Sequence, residues 1–233
     1  MDLQTDVLII GEGGGGAVLG LILARKGISS IVLEQSSGPP QGLRGEILQP
    51  NGQKILHDLG LLDKLPSHVC KPVRLFHFRR TGGVRLFTID YAMLPLPFNR
   101  ALVTWPHAVH HTILDCLSQE NPQGLRYGAT FRSLLWKGDT IVGVEADVGG
   151  TSIHIGAHVV VGADGPFSQV RGAMGIPTAL HRYKDSYLIA MLESSGQLEE
   201  AQYYVGQKTI LGIFPAAGHK AYVFYMVSSD SLT

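Results

Sequence analysis

Three glycines near the amino terminus, Gly11, Gly13 and Gly16, have the G-x-G-x-x-G spacing of a phosphate-binding turn, and Gly14 and Gly15 complete the run. Residues 6–10 before them are an apolar run without alternation, as expected of a strand buried on both faces. Residues 17–26 after them are apolar on every side and read as a buried helix, with Arg25 and Lys26 in its last turn and Gly27 as its stop. Each glycine has its own physical reason. Gly11 permits a sharp turn, Gly13 has no side chain to keep a pyrophosphate from the backbone, and Gly16 lets the helix pack closely on the sheet. The helix N-terminus then offers unpaired N–H groups and the positive end of its dipole. Glu34, with Gln35 beside it, ends a second buried strand over 30–33, eighteen residues after Gly16. A carboxylate there accepts both hydroxyls of an adenosine ribose and disfavours a 2′-phosphate, so the site favours FAD or NAD over NADP. The competing reading is a glycine turn that merely packs. Glu12 fits poorly: a negative charge beside a diphosphate repels it, so its side chain must point away or affinity drops.

Other chemistry-bearing residues carry less. His107, His110 and His111 have helical spacings of three and four, which brings a metal site to mind. No carboxylate or cysteine accompanies them at a familiar ligand spacing, so they read as surface or packing residues and no metal is expected. His154 and His158 read as strand or turn residues, Arg79-Arg80 as a solvent-exposed basic pair, and Ser36-Ser37 as a loop. Cys70 and Cys116 are too few for a disulfide framework and lack a C-x-x-C spacing, which suggests a reducing compartment and a cytoplasmic location. No residue is assigned to catalysis.

The elements that must position these residues follow from periodicity and turn chemistry. A loop over 36–43 precedes a helix over 51–59. Runs at 73–80 and 84–89 flank Thr81-Gly82-Gly83 and read as a hairpin. A helix is expected over 105–117, a β-meander over 129–161, and a short helix over 167–174. Strands follow at 187–192, 201–205, 209–214 and 221–227. Residues 7–24 form an eighteen-residue stretch with one charge, Glu12, yet read as strand, glycine turn and helix rather than as a membrane or export segment. Asp2 and Asp6 precede the stretch, where a signal peptide wants positive charge.

Composition narrows the function. Lys+Arg and Asp+Glu number 19 each, so the formal charge is zero, and a nucleic-acid partner, which wants a basic excess, is excluded as the main business of the chain. With 45% apolar residues among 233, the chain can bury a sizeable core and is not disordered. Glycine is 29 of 233, well above the usual ~7%, and points to many tight turns and close backbone approaches.

Two later segments carry a resemblance. One is Arg44-Gly45-Glu46-Ile47-Leu48-Gln49-Pro50; the other runs from Val160 through Gly162-Ala163-Asp164-Gly165 to Ser168 and Arg171. With the glycine turn, they make the chain resemble the para-hydroxybenzoate hydroxylase-like FAD-dependent monooxygenases over nearly its whole length. The Gly-Glu-x-Leu-Gln-Pro segment and the His110-His111 helix also resemble squalene epoxidase. The resemblance implies that Gly11, Gly13 and Gly16 hold the FAD pyrophosphate and Glu34 the ribose. It implies that Arg44 lines the FAD site and that Asp164 and Gly165 serve both FAD binding and use of NADH or NADPH, Asp164 through hydrogen bonds. Arg171 is a weaker member of that network, with a surface salt bridge as the alternative. Relatives place an Arg or Gln against the flavin near Pro106 and His107, and that contact is not carried over.

The implied activity is monooxygenation with NAD(P)H and O₂, hydroxylating an aromatic or epoxidising an apolar organic substrate. A sheet bearing Tyr187, Tyr203, Tyr222 and Tyr225 suits the wall of an apolar substrate pocket, although each also reads as an ordinary strand aromatic. The alternatives are a flavin-dependent reductase of isoprenoid-like substrates and a non-catalytic flavin-binding protein; a plain NAD-dependent dehydrogenase leaves the Asp-Gly segment unexplained. The family's C-terminal Gly-Asp motif has no match in 176–233, so an N-terminal portion of a longer enzyme, or a shortened relative, is expected. The expected fold is α/β: a Rossmann-like three-layer FAD-binding domain with a β-meander (1–72 and 101–176), interleaved with a mixed substrate-binding β-sheet (73–100 and 177–233).

Overall fold

In the computed structural model, residues 3–41, 46–181, 183–195 and 198–228 are described. In chain order the elements are β1 (Leu3–Ile10), α1 (Gly14–Arg25), β2 (Ser30–Leu33), β3 (Glu46–Leu48), α2 (Pro50–Asp58), β4 (Cys70–Val73), β5 (Leu75–Arg80), β6 (Arg85–Asp90), β7 (Ala101–Thr104) and α3 (Ala108–Glu120). They continue with β8 (Leu125–Arg126), β9 (Ala129–Lys137), β10 (Thr140–Val148), β11 (Thr151–Gly162), α4 (Gln169–Ala173), β12 (Asp185–Glu193), β13 (Ala201–Val205), β14 (Ile210–Ala216) and β15 (Lys220–Ser228). No described helix is long and apolar enough to cross a membrane.

Two compact units divide these elements: Met1–Pro40 with His110–Leu180, and Gln41–Val109 with His181–Thr233. The sequence reading groups 41–72 and 101–109 with the glycine turn. By compactness they lie in the second unit, because β3, β7 and β4 pair with one another there. That pairing joins strands of three or four residues, too short to leave a periodic signal.

The first unit is built on one sheet in the order β8-β2-β1-β11-β10-β9. β1 pairs in parallel with both β2 and β11, and a parallel neighbour requires a crossover, which α1 supplies. Side chains alternate across β1 and β2. Leu8, Ile10, Ile31 and Leu33 meet Phe131, Leu134, Val144 and Ile155 of the meander on one face. On the other face α1 comes close at Gly20, where an added Cβ would lie 2.9 Å from Val32 and 3.4 Å from Leu117 of α3. Gly20 therefore shares the close helix–sheet approach with Gly16, where an added Cβ would run into Gly11 and lie 3.3 Å from Ala163 Cβ at the strand ends. β11 is twelve residues long and serves both sides, with Ile155–Gly162 beside β1 and Thr151–Gly156 beside β10. The three layers expected from the sequence are helices, parallel strands and meander.

The second unit holds a mixed sheet in the order β12-β15-β14-β13-β5-β6 and the small sheet β3-β7-β4. The 73–80 run expected as one strand is broken. Val73 ends β4 and Leu75 begins β5, and between them Arg74 turns out to a paired contact with Asp90 at 2.7 and 2.8 Å. One face of the large sheet is an aromatic stripe. Phe78 stacks on Tyr203 and Phe87 at 4.3 and 4.4 Å, and Phe214 stacks on Phe224 and Tyr222. Gly212 makes room for it, since a Cβ there would collide with the Phe224 ring. Phe214 is wholly buried, with Phe76, Val73 and Val103 around it. The four tyrosines divide: Tyr203 and Tyr222 belong to this core cluster, whereas Tyr187 and Tyr225 are exposed. None of them lines the open cavity of about 360 Å³ formed by Trp105, Pro106, Met191, Leu192, Glu193 and Lys220.

Candidate functional site

The first unit brings three strand ends together. Ile10 of β1 lies beside Leu33 of β2 and Gly162 of β11, so the glycine turn, Glu34 and the Asp164-Gly165 segment all leave the sheet at adjacent carboxyl ends. Ligands of open α/β sheets bind outside such ends. Backbone hydrogen bonds join the three. Gly11 N–H donates to Leu33 at 2.8 Å, and Ala163 N–H donates to Ile10 at 2.8 Å.

The glycines of the turn do different work. Gly11 has φ +98°, and an added Cβ would lie 2.6 Å from the Ala163 carbonyl. At Gly16 a Cβ would run into the Gly11 carbonyl oxygen. Those two close the turn. Gly13, Gly14 and Gly15 are exposed, and a Cβ on any of them meets nothing within 4 Å. Gly13 caps α1 with φ −47° and ψ 171°, without a side-chain cap and with no acidic residue in the first turn. The result is a bare helix N-terminus facing open space, the chemistry that takes a pyrophosphate. α1 begins at Gly14, three residues earlier than its apolar run, because the turn geometry overrides glycine's poor helix propensity.

Glu34 is held in place and charged. Its carboxylate accepts from the Ser36 amide at 2.8 Å, from the Ser36 hydroxyl, and from the Glu12 amide at 3.2 Å. Burial pushes it up, but these hydrogen bonds outweigh burial and hold it below the usual carboxylate range. Gln35 beside it is exposed. Arg44 lies outside the described residues.

Asp164 is held by hydrogen bonds within its own turn. It accepts from Ser168 Oγ at 2.6 Å and from the amides of Gln169 and Val170 at 2.7 and 3.1 Å. Burial raises it and these donors lower it, with a net shift downward. The carboxylate thus fixes the turn into α4, where Gly165 has φ +83°. Arg171 is neither a surface salt bridge nor a partner of Asp164. Its guanidinium donates to Thr178 Oγ1 at 2.8 Å and to the Pro166 carbonyl at 2.7 Å, tying off the same turn.

One participant, Tyr127, escapes the sequence reading, and it holds the Glu12 side chain that the sequence required to point away. Glu12 is 3% exposed, with its carboxyl turned inward to accept from the Tyr127 hydroxyl at 2.8 Å. Burial raises its pKa, and the nearby Glu34 adds to that. Burial and the bond to Glu12 raise Tyr127 as well and keep it a neutral phenol donor. His110 Nε2 donates to the Glu12 carbonyl at 2.8 Å, and His111 Nε2 to the Pro40 carbonyl at 3.3 Å. Both histidines brace loops, and no group of metal-binding residues occurs among the described residues. α3 begins at Ala108 rather than 105, because His107 has a left-handed φ of 61°. The signal for Glu12 was a carboxylate set inside the glycine turn, between Gly11 and Gly13; Tyr127, far away in sequence, had none.

The model of the FAD binding domain family matches residues 4–231. The chain belongs to that family. It is 34% identical over 177 residues to the 6-methylpretetramide 4-monooxygenase of Streptomyces rimosus, covering 75% of this chain and 41% of that protein. It is 27% identical over 171 residues to the squalene monooxygenase of Rattus norvegicus, covering 72% and 30%. Among solved structures, Pseudomonas aeruginosa PqsL in complex with 2-aminobenzoylacetate superposes with a TM-score of 0.88 at 21% identity, over 98% of this chain and 62% of that one. The p-nitrophenol 4-monooxygenase of Pseudomonas putida superposes with a TM-score of 0.88 at 19% identity, over 99% and 59%. These likenesses show the fold. The chain spans less than half the length of either of these two enzymes. The bare glycine turn, the anchored acid and the adjacent Asp-Gly turn fit the FAD of this family.

Proposed function

We propose that this chain is the FAD-holding part of an NAD(P)H-dependent monooxygenase acting on a small aromatic or apolar substrate. The observation that carries the reading is the exposed, side-chain-free turn at Gly13, Gly14 and Gly15, set between Glu34 and Asp164. In this reading the helix N-terminus and the turn amides take the pyrophosphate. The anchored Glu34 carboxylate, with Gln35 beside it, takes the adenosine ribose. Asp164 and Gly165 shape the third side of the site. FAD, when bound, supplies the redox chemistry, passing two electrons from NAD(P)H to O₂, of which one atom enters the substrate and the other leaves as water. The protein's part is to bind, orient and exclude water. The monooxygenases that the chain resembles by sequence support this activity. The exposed aromatics Phe87 and Tyr187 at the ends of the second unit's stripe are suited to an apolar substrate.

The test is FAD-loaded protein screened with phenols and polyenes for NAD(P)H oxidation, O₂ uptake and product mass. Oxygen incorporation from ¹⁸O₂ with one NAD(P)H consumed per product is expected. NAD(P)H-driven reduction of substrate without O₂ uptake replaces this reading with that of a flavin-dependent reductase.

A further inference from the structure

Glu12 stands in a poor place for a carboxylate, directly before the open turn of Gly13, Gly14 and Gly15 that is read as the diphosphate cradle. Three elements pin it. Its amide donates to Glu34 at the end of β2, its carbonyl accepts from His110 of α3, and its carboxyl accepts from Tyr127, which precedes β9. The side chain is packed inside the unit at 3% exposure. Of the three contacts, the Tyr127 hydroxyl is the one that holds the carboxyl itself. The turn that follows Glu12, Gly13 to Gly15, is exposed with nothing within 4 Å of an added Cβ, and a carboxyl turned toward that space would repel a diphosphate.

We propose that Tyr127 is a positioning residue of the FAD site, holding the Glu12 carboxyl inward and so keeping its negative charge out of the phosphate cradle. The reason is local. The Glu12 backbone is already fixed at both its N–H and its carbonyl, so side-chain rotation is what remains free, and the phenol removes that freedom. The inference rests on the FAD reading of the preceding subsection.

The experiment titrates FAD into apoprotein of the full chain by flavin fluorescence, with the apo melting temperature recorded for each variant. Tyr127→Phe keeps the ring and removes the hydroxyl. It is expected to weaken FAD binding about tenfold or more in the parent background and to lower the apo melting temperature by a few degrees, a loss that the Glu12→Gln background separates from the effect of charge. Glu12→Gln still accepts the phenol bond, carries no charge, and is expected to bind FAD at least as tightly as the parent. In the Glu12→Gln background, adding Tyr127→Phe is expected to cost about threefold or less. Glu12→Asp leaves the tyrosine intact but draws the carboxyl out of its reach, and is expected to resemble Tyr127→Phe. Equal losses from Tyr127→Phe in the parent and in the Glu12→Gln background overturn the inference, because a purely structural tyrosine does not sense the charge. Parental affinity in Tyr127→Phe overturns it too. A parent chain that takes up no FAD overturns the cofactor reading itself, an outcome distinct from both.

Discussion

Placing an aspartate at Gly13 separates the folding of the turn from its proposed function. The backbone there, at φ −47° and ψ 171°, is not in the left-handed region that only glycine favours, and a Cβ meets no protein atom within 4 Å. Gly13 is also the N-cap of α1 and makes no side-chain cap. Aspartate is among the best N-caps, a few tenths of a kcal/mol better than glycine, and its charge at the dipole's positive end adds roughly 0.3–1 kcal/mol. Gly13→Asp is therefore expected to raise apo stability by about 0.5–1 kcal/mol, a gain of roughly 1–4 °C in a chain of this size. FAD binding moves the other way. The new carboxylate fills the space and takes the amides meant for phosphate. Two like charges about 5 Å apart near the protein surface repel by about 3 kcal/mol, or about 100-fold in Kd. The assay is a pair of measurements on apoprotein, a thermal melt by circular dichroism and a flavin fluorescence titration, with Gly13→Asn to separate bulk from charge. A Kd within threefold of the parent refutes the phosphate placement. A melting temperature lowered by several degrees refutes the open space in front of Gly13.

Other outcomes follow from the same geometry. Gly16→Ala drives a Cβ into the Gly11 carbonyl oxygen, so overpacking of about 1–3 kcal/mol is expected as a lower apo melting temperature, in contrast to Gly13. Glu34 and Asp164 are both held below the usual carboxylate range. The stability they contribute is complete above the unfolded-state values near about 4 and is lost as pH falls through their lower folded values. Urea midpoints between about pH 6 and pH 3 should therefore drop more steeply in the parent than in Asp164→Asn. In the second unit, Phe214→Ala empties a wholly buried site in the aromatic stripe and is expected to cost about 3–5 kcal/mol in denaturant unfolding.

The sequence by itself determined the local parts: the strand, glycine turn and helix of 6–26, the acid at Glu34, the meander and the Asp-Gly turn. Each is written in contiguous residues, where periodicity and glycine chemistry act over a few positions. It did not single out Gly20, which shares the seating of the helix with Gly16, because the need for glycine there depends on what stands opposite. It also ran β4 and β5 together, since the break at Arg74 depends on Asp90 sixteen residues away. Tertiary structure alone decided which partners share the site. Parallel pairing of β1 with β2 and β11 sets Gly11, Glu34 and Asp164 at neighbouring strand ends from positions more than 150 residues apart. The same packing carries Tyr127 and His110 to Glu12. The misfit of that glutamate was legible in the sequence. Its resolution was not, because a hydrogen bond across 115 residues leaves no spacing to read.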